Sequence, residues 1–382
     1  MTEKRAKAKP AKTASRMRRT QSAAGKGYSQ ASRRVIPECD PWPSGSDVRR
    51  INLALQGGGA HGAFTWGVLD RLLEDDKIAI EGISGTSAGA INGTVMAYGL
   101  ALGGRQAARE VLGQLWRKIA SIAALSPLQP SPFDRMLGLG RMDFSPGYWM
   151  LDTLSRVLSP YQFNAFDLNP LRDALRDIVD FEVLKACDKM KLFVCATAVK
   201  RSRIKIFELQ EMSVEAVLAS ACLPFLHQAV EIDGEAYWDG GYMGNPAIFP
   251  LIYDTEARDI LLVQINPINH GDVPRTAQEI IDRLNTLTFN SSLMREMRAI
   301  AFVTKLIDQG FDDKGRLKRL LIHVIEAEDV MRDLGASSKL NADWQFLKHL
   351  HDVGRQRADD WLAQNRQHLG QRSSADIQDM FL

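Results

Sequence analysis

The sequence predicts a three-layer α/β fold, in which a mostly parallel sheet carries helices on both faces. Three stretches support that expectation. Two are strand–turn–helix units. Residues 48–55 run into a glycine-rich loop and a helix from Ala63, and residues 78–83 run into Gly85-Thr86-Ser87-Ala88-Gly89 and a helix from Ala90. The third is residues 260–266, a continuous apolar run of the kind found in strands covered on both faces.

The chain has 382 residues, 45% apolar and 25% charged, the balance of an ordinary globular protein. Its charge is unevenly placed. Residues 1–34 hold eleven Lys or Arg against Glu3 alone, while the whole chain carries only +2, so the rest is acidic by about eight charges. Residues 1–47 hold too few apolar side chains to offset the entropy of ordering, and are expected to be a disordered basic tail. Three readings stay open for it: a solvated linker, a contact for an anionic membrane or polymer, or an Arg- and Ser-rich transit segment. No apolar run approaches the roughly 20 residues that span a bilayer. Residues 48–340 read as the main domain, and 341–382 as an amphipathic helix packed on it plus a loose end.

The first strand leads into Gln56-Gly57-Gly58-Gly59-Ala60-His61-Gly62, and the helix after it places Phe64, Val68, Leu69 and Leu72 on one side. Gly57, Gly59 and Gly62 also fit the dinucleotide fingerprint, with Glu81 about where a ribose-binding acid would stand. Both readings need backbone N–H groups to approach an anion closely. The second strand then decides against the dinucleotide, because it ends at a serine elbow and not at an acid. In that elbow Ser87 sits between Gly85 and Gly89, in a turn where larger neighbours would collide with strand and helix. The pattern alone recurs by chance about once in ten chains of this length, and Ser87 as a plain helix cap is the competing reading.

Residues 111–124 read as a helix. Residues 126–161 mix Pro and Gly with large apolar residues, and are either core helices joined by turns or a lipid-facing cap. Residues 167–180 read as a helix with Leu168, Leu171, Leu175 and Ile178 inward. Residues 192–198 and 203–207 form a hairpin, 214–220 a helix, and 230–238 a second hairpin about Asp233-Gly234. That hairpin runs into Asp239-Gly240-Gly241, by itself ordinary turn chemistry. Residues 277–306 read as a helix, 320–325 as a last strand, and 341–365 as the final amphipathic helix. Cys39, Cys187, Cys195 and Cys222 lack metal spacing and read as free thiols in a reducing compartment. The histidines are scattered. No metal site and no cofactor are expected.

These blocks together resemble the patatin-like phospholipase family. The resemblance rests on the loop Gly57 to Gly62, the elbow Gly85 to Gly89, Asp239-Gly240-Gly241, Ala219-Ser220-x-x-x-Pro224 and Asn245-Pro246, over roughly residues 49–270. It implies a patatin-like fold and a lipid acyl hydrolase with a Ser87–Asp239 dyad. It also implies an oxyanion hole from the glycine-rich loop, Gly57, Gly58 and Gly59, with Ala88. Phospholipid or lysophospholipid is the first substrate; a broad carboxylesterase or a non-catalytic lipid-binding protein on the same fold are the alternatives. The partners implied are the lipid ester and, through the basic tail, a membrane surface. The expected site of action is cytoplasmic or peripheral to the membrane, with no nucleic acid. His227 is kept in reserve as a third catalytic member. One departure stands out: His61 occupies a position where the family usually has Arg or Lys. A neutral side chain there would weaken the anion site and make activity depend on pH, unless the position is structural.

Overall fold

The computed structural model describes residues 42–43, 45–138, 140–311 and 314–382. All but five residues of the expected tail, 1–41 and 44, lie outside that range. Eight strands form one sheet: β1 Arg49–Leu55, β2 Ile78–Thr86, β3 Lys191–Ala198, β4 Arg203–Glu208, β5 Val230–Ile232, β6 Glu235–Asp239, β7 Asp259–Val263 and β8 Leu321–Ile325. Their order is β5-β6-β3-β2-β1-β7-β8, with β4 also paired to β3. The central strands β3, β2, β1, β7 and β8 are parallel, and β4, β5 and β6 add antiparallel pairs at one side.

The strand period of two sorts side chains onto two faces. Ile51, Leu53 and Leu55 of β1, with Leu261 and Val263 of β7, join one core cluster; Ala54, Ile260 and Leu262 join the other. On the first face lie α1 (Gly62–Leu72), α2 (Ala88–Ala123) and the helix Trp344–Asn365. On the second lie Phe249–Asp254, Ala277–Asp308 and Ile377–Phe381. This is the three-layer α/β architecture that the sequence predicts.

α2 is broken at Gly103 and Gly104, the latter at φ 73°. The chain folds back there, so that a methyl group on Gly99 would lie 2.3 Å from the Cα of Ala108. The expected helix over 111–124 is the second arm of this pair. α1 and the helix Trp344–Asn365 meet almost backbone to backbone. A methyl on Gly354 would sit 2.1 Å from the Phe64 carbonyl oxygen. Beside this contact Asp70 accepts from Arg109 at 2.8 Å and also from Arg355, and Glu74 pairs with the same two arginines.

Four expectations need correction. Helix 167–180 is shorter, Pro170–Ile178, and Leu168 is exposed before its start; Asn169 caps it, its side chain accepting from Leu171 N–H. The end of the chain is not loose. Ser373 and Ser374 bond to β8 residues Ile322 and His323, and Phe381 is buried in the second core. Cys195 and Cys222 are free and buried, but Cys187 is disulfide-bonded and not a free thiol. Residues 126–161 are only partly core: the helix Pro146–Val157 buries no residue, while Met142 before it is fully buried.

Replacing Gly354 by Ala forces α1 and the C-terminal helix apart and costs about 1–3 kcal/mol. Thermal unfolding reads this as a Tm lower by several degrees; an unchanged Tm contradicts the close packing.

Candidate active site

Ser87 occupies the one-residue step between β2 and α2, at φ 53° and ψ −121°. A non-glycine residue in such a region is held there against strain. Its surroundings show how. The Ser87 N–H donates to Ser220 Oγ at 2.9 Å, and its carbonyl accepts from Ile91 N–H at 3.0 Å. Gly89 presses on β1, where a methyl would lie 2.1 Å from the Leu55 carbonyl oxygen. The Ser87 side chain makes no capping hydrogen bond, so its hydroxyl is not committed to the helix it precedes.

Strand register brings Asp239 to the same point. On β3, Cys195 pairs with Thr86 and the next residue, Ala196, pairs with Asp239. β4 occupies the other edge of both β3 residues. β6 therefore continues along the edge that β2 vacates, and its last residue lies beside the elbow. The Asp239 backbone is fixed on both sides, by Cys222 O at 2.8 Å and by Thr197 Oγ1 at 2.8 Å.

The Asp239 carboxyl divides its two oxygens. Oδ1 accepts from Gly241 N–H at 2.7 Å, the turn role that an Asp-Gly-Gly sequence suggests. Oδ2 is buried and has no hydrogen-bond partner. Burial pushes this carboxyl up to about 7, while the Gly241 N–H and the nearby Ser87 hydroxyl pull it down. The hydroxyl is within range to favour the charged form, yet it is not aligned with Oδ2. Such a gap is usual before a substrate tightens catalytic hydrogen bonds.

The glycine-rich loop lies against the serine. A methyl on Gly57 would come 2.6 Å from Ser87 Cβ. Both polar groups of Gly57 are taken: its N–H donates to Asn245 Oδ1 at 2.6 Å and its carbonyl accepts from Asn266 Nδ2 at 2.8 Å. Gly57 is thereby withdrawn from the oxyanion donors expected from sequence. The N–H groups of Gly58 and Gly59 find no acceptor among the described residues, and Ala88, first in its helix, has no intrahelical acceptor. Gly62 and Asn92 join the two helix starts, since Asn92 Nδ2 donates to Gly62 O at 2.9 Å and Ala88 O at 3.1 Å. Gly85 and Gly240 allow close backbone passages, and Gly241 lies under the Phe289 ring.

The chain matches the patatin-like phospholipase family model over residues 53–252, slightly more than half its length. The chain belongs to the patatin-like phospholipase family. No curated protein matches it. Among solved structures it is similar to VipD from Legionella pneumophila, at 17% identity and TM-score 0.34, covering 80% of this chain and 68% of VipD. It is also similar to the type III effector protein ExoU, at 17% identity and TM-score 0.31, covering 83% of this chain and 53% of ExoU.

Within this patatin-like chain, three other sequence candidates find different places. Glu81 accepts from the backbone N–H groups of Glu256 and Ala257 at 2.7 and 2.8 Å, a structural cap far from any ribose role. His227 makes no hydrogen bond to Ser87 or Asp239, and its neighbouring charges are Asp167 and Arg172. His61 is buried, and burial together with Lys339 pushes its pKa to about 3. It stays neutral at ordinary pH and cannot act as a switch near pH 7. Gln56, Asn245, Asn266, Ser220 and Lys339 escaped sequence reasoning as parts of the site. Ser220 and Asn245 at least lay in family blocks; Asn266 and Lys339 carried no signal beyond a polar residue after an apolar strand.

Asp239 also makes a prediction about stability. Its folded pKa lies above the unfolded value of 3.8, so the native state keeps a proton that the unfolded chain releases between pH ~4 and ~7. The contribution favours folding below that window and is lost as pH rises through about 7. Asp239→Asn removes the buried charge. Its stability relative to wild type should rise between pH 5 and pH 8 by about 2–3 kcal/mol, the part of the three-unit shift that falls in this interval. Urea unfolding at the two pH values checks this, and a parallel offset at both contradicts it.

Proposed function

We propose that this chain is a serine acyl hydrolase acting on lipid esters through a Ser87–Asp239 dyad. The observation that carries the reading is the strained, uncapped serine beside a buried carboxyl whose second oxygen has no partner and whose pKa is about 7. Ser87 Oγ attacks the acyl carbon and its proton passes to Asp239 Oδ2. The tetrahedral oxyanion is held by the N–H groups of Gly58, Gly59 and Ala88, and each such donor is worth about 10²–10³ in rate. Collapse expels the alcohol, which takes the proton from Asp239 and leaves an acyl-Ser87. Water then attacks that ester, giving one proton to Asp239. Collapse releases the fatty acid and returns the proton to Ser87.

Phospholipid or lysophospholipid is the substrate class proposed, and a lipid surface the partner. Near the site the chain displays large apolar side chains. On the helix Pro146–Val157, Trp149 is 60% and Met150 53% exposed. The charge of Asp282 acts on Tyr148 of that helix, which places it beside the first turns of Ala277–Asp308, where Leu284 and Leu287 are each 58% exposed. Two residues after Leu287, Phe289 packs on Tyr242 and over Gly241, two residues from Asp239. The helix that displays Leu284 and Leu287 thus also reaches the site through Phe289. No described helix is long and apolar enough to cross a membrane; shallow insertion suits this belt. The basic residues at 1–34 suit anionic headgroups.

A fluorophosphonate probe should label wild type and not Ser87→Ala, and p-nitrophenyl ester turnover should vanish with the label. Turnover should rise with pH through about 7 as Asp239 loses its proton. Labelling of Ser87→Ala to the same extent, or a profile falling across that range, contradicts the dyad.

Trp149→Glu combined with Leu284→Glu should cut hydrolysis of phosphatidylglycerol vesicles by about tenfold or more, since two large apolar contacts are lost, and leave soluble ester turnover near wild type. Equal vesicle activity in the double variant contradicts the lipid-facing belt.

A further inference from the structure

The segment Ala336–Leu340 lies outside the family match, yet it closes over the glycine-rich loop. A methyl on Gly59, at φ 61°, would lie 2.4 Å from the Lys339 carbonyl oxygen. From this segment the Lys339 side chain reaches inward, and Nζ donates to Asn266 Oδ1 at 2.9 Å. Asn266, buried at the end of β7, donates in turn from Nδ2 to the Gly57 carbonyl at 2.8 Å. The Gly57–Gly58 peptide is trans, Asn245–Pro246 being the only cis bond among the described residues. In a trans peptide the carbonyl and the N–H point in opposite directions. A single line of dipoles therefore runs from the Lys339 ammonium, through the Asn266 carboxamide and the peptide, to the Gly58 N–H. That N–H has no acceptor.

The ammonium is not there as half of a salt bridge. No carboxylate among the described residues lies within ion-pair distance of Lys339, and its ammonium is bonded to a neutral amide. Holding a partly buried ammonium on one neutral hydrogen bond is unfavourable; burial lowers its pKa, and the charge of Asp282, beyond ion-pair distance, offsets part of this. Nor does His61 supply charge here. Ser338 Oγ gives its proton to Gly335 O at 2.6 Å and so accepts from His61 Nε2–H at 2.7 Å, while burial keeps the imidazole neutral. The positive charge behind the loop belongs to Lys339.

We propose that Lys339 is a positioning residue which, acting through Asn266, polarises the Gly57–Gly58 peptide and strengthens the Gly58 N–H as an oxyanion donor. This rests on the acyl-hydrolase reading above. Hydrogen bonds in a chain reinforce one another, and a charged donor at its head does so most. Losing the Gly58 donor outright would cost about 10²–10³ in rate; losing only its reinforcement should cost about tenfold.

The test compares full-length wild type with Lys339→Met, Lys339→Gln and Lys339→Arg, using p-nitrophenyl butyrate turnover, fluorophosphonate labelling rate and Tm. The expected result is that kcat and labelling rate fall about tenfold in the Met and Gln variants, KM stays within about twofold, Tm does not fall, and Arg restores most of the loss. Wild-type kcat in either neutral variant overturns the proposal. So does a loss of kcat that follows a loss of Tm and is not restored by Arg. A wild-type protein that neither labels nor turns over ester overturns the acyl-hydrolase reading instead, and the proposal with it.

Discussion

The Asp239 carboxyl is the group around which the costs in this structure are arranged. One oxygen is bonded in its own turn and the other is buried without a partner. A fold selected for stability alone would satisfy or replace such a group. Here the sheet delivers it to the end of β2 by strand register, with its backbone pinned at both N–H and carbonyl. The carboxyl therefore cannot move away to find a partner. Its raised pKa follows from this confinement, and the same confinement makes Oδ2 a usable base near neutral pH.

The serine shows the same logic with backbone strain in place of desolvation. Its dihedrals are tolerated because neighbours over-determine them: Ser220 takes its N–H, Gly89 lets the helix start press on β1, and Gly57 lets the loop close over its Cβ. Around these contacts lies a scaffold of buried amides. Gln56 accepts from Ile265 and Asn266 N–H groups, Asn245 holds Gly57, and Asn266 holds Gly57 from the other side. Loops at the carboxyl ends of parallel strands have no ladder to bond to, so their peptide groups need side-chain partners. Those partners leave the Gly58, Gly59 and Ala88 N–H groups unspent.

Much of this was legible in the chain. Ser87, Asp239 and the glycines announce themselves, because steric need restricts the residue type at a fixed spacing and writes a motif. The hairpin at Asp233-Gly234 is legible for the same reason, since both residues take positive φ. The opaque parts are those where one long-range contact decides. The expected oxyanion role of Gly57 failed because Asn245, 188 residues away, takes its N–H. Leu168 looked inward by helical spacing but precedes a helix whose cap is Asn169. His61 looked like either a source of pH dependence or a structural position, and is a buried neutral group held by Ser338. Spacing reports faces and turns; it does not report which side chain arrives from elsewhere.

That distinction bears on what the catalytic unit is. The family match ends at residue 252, yet Asn266 on the loop after β7, and Ser338 and Lys339 near the last long helix, all touch the glycine-rich loop or its neighbours. β7 is also the strand that borders β1 on the side away from β2, so it forms one wall of the crevice where the strand order reverses. A fragment cut at the end of the match would keep Ser87 and Asp239 but expose one edge of β1 and free the Gly57 carbonyl. The loop would then lose the side chains that hold its peptide planes, and its free N–H groups would lose their fixed direction. Residues beyond the motifs therefore hold the glycine-rich loop as structurally as the motifs do, and the C-terminal segment is part of the architecture around Ser87, not an appendage to it.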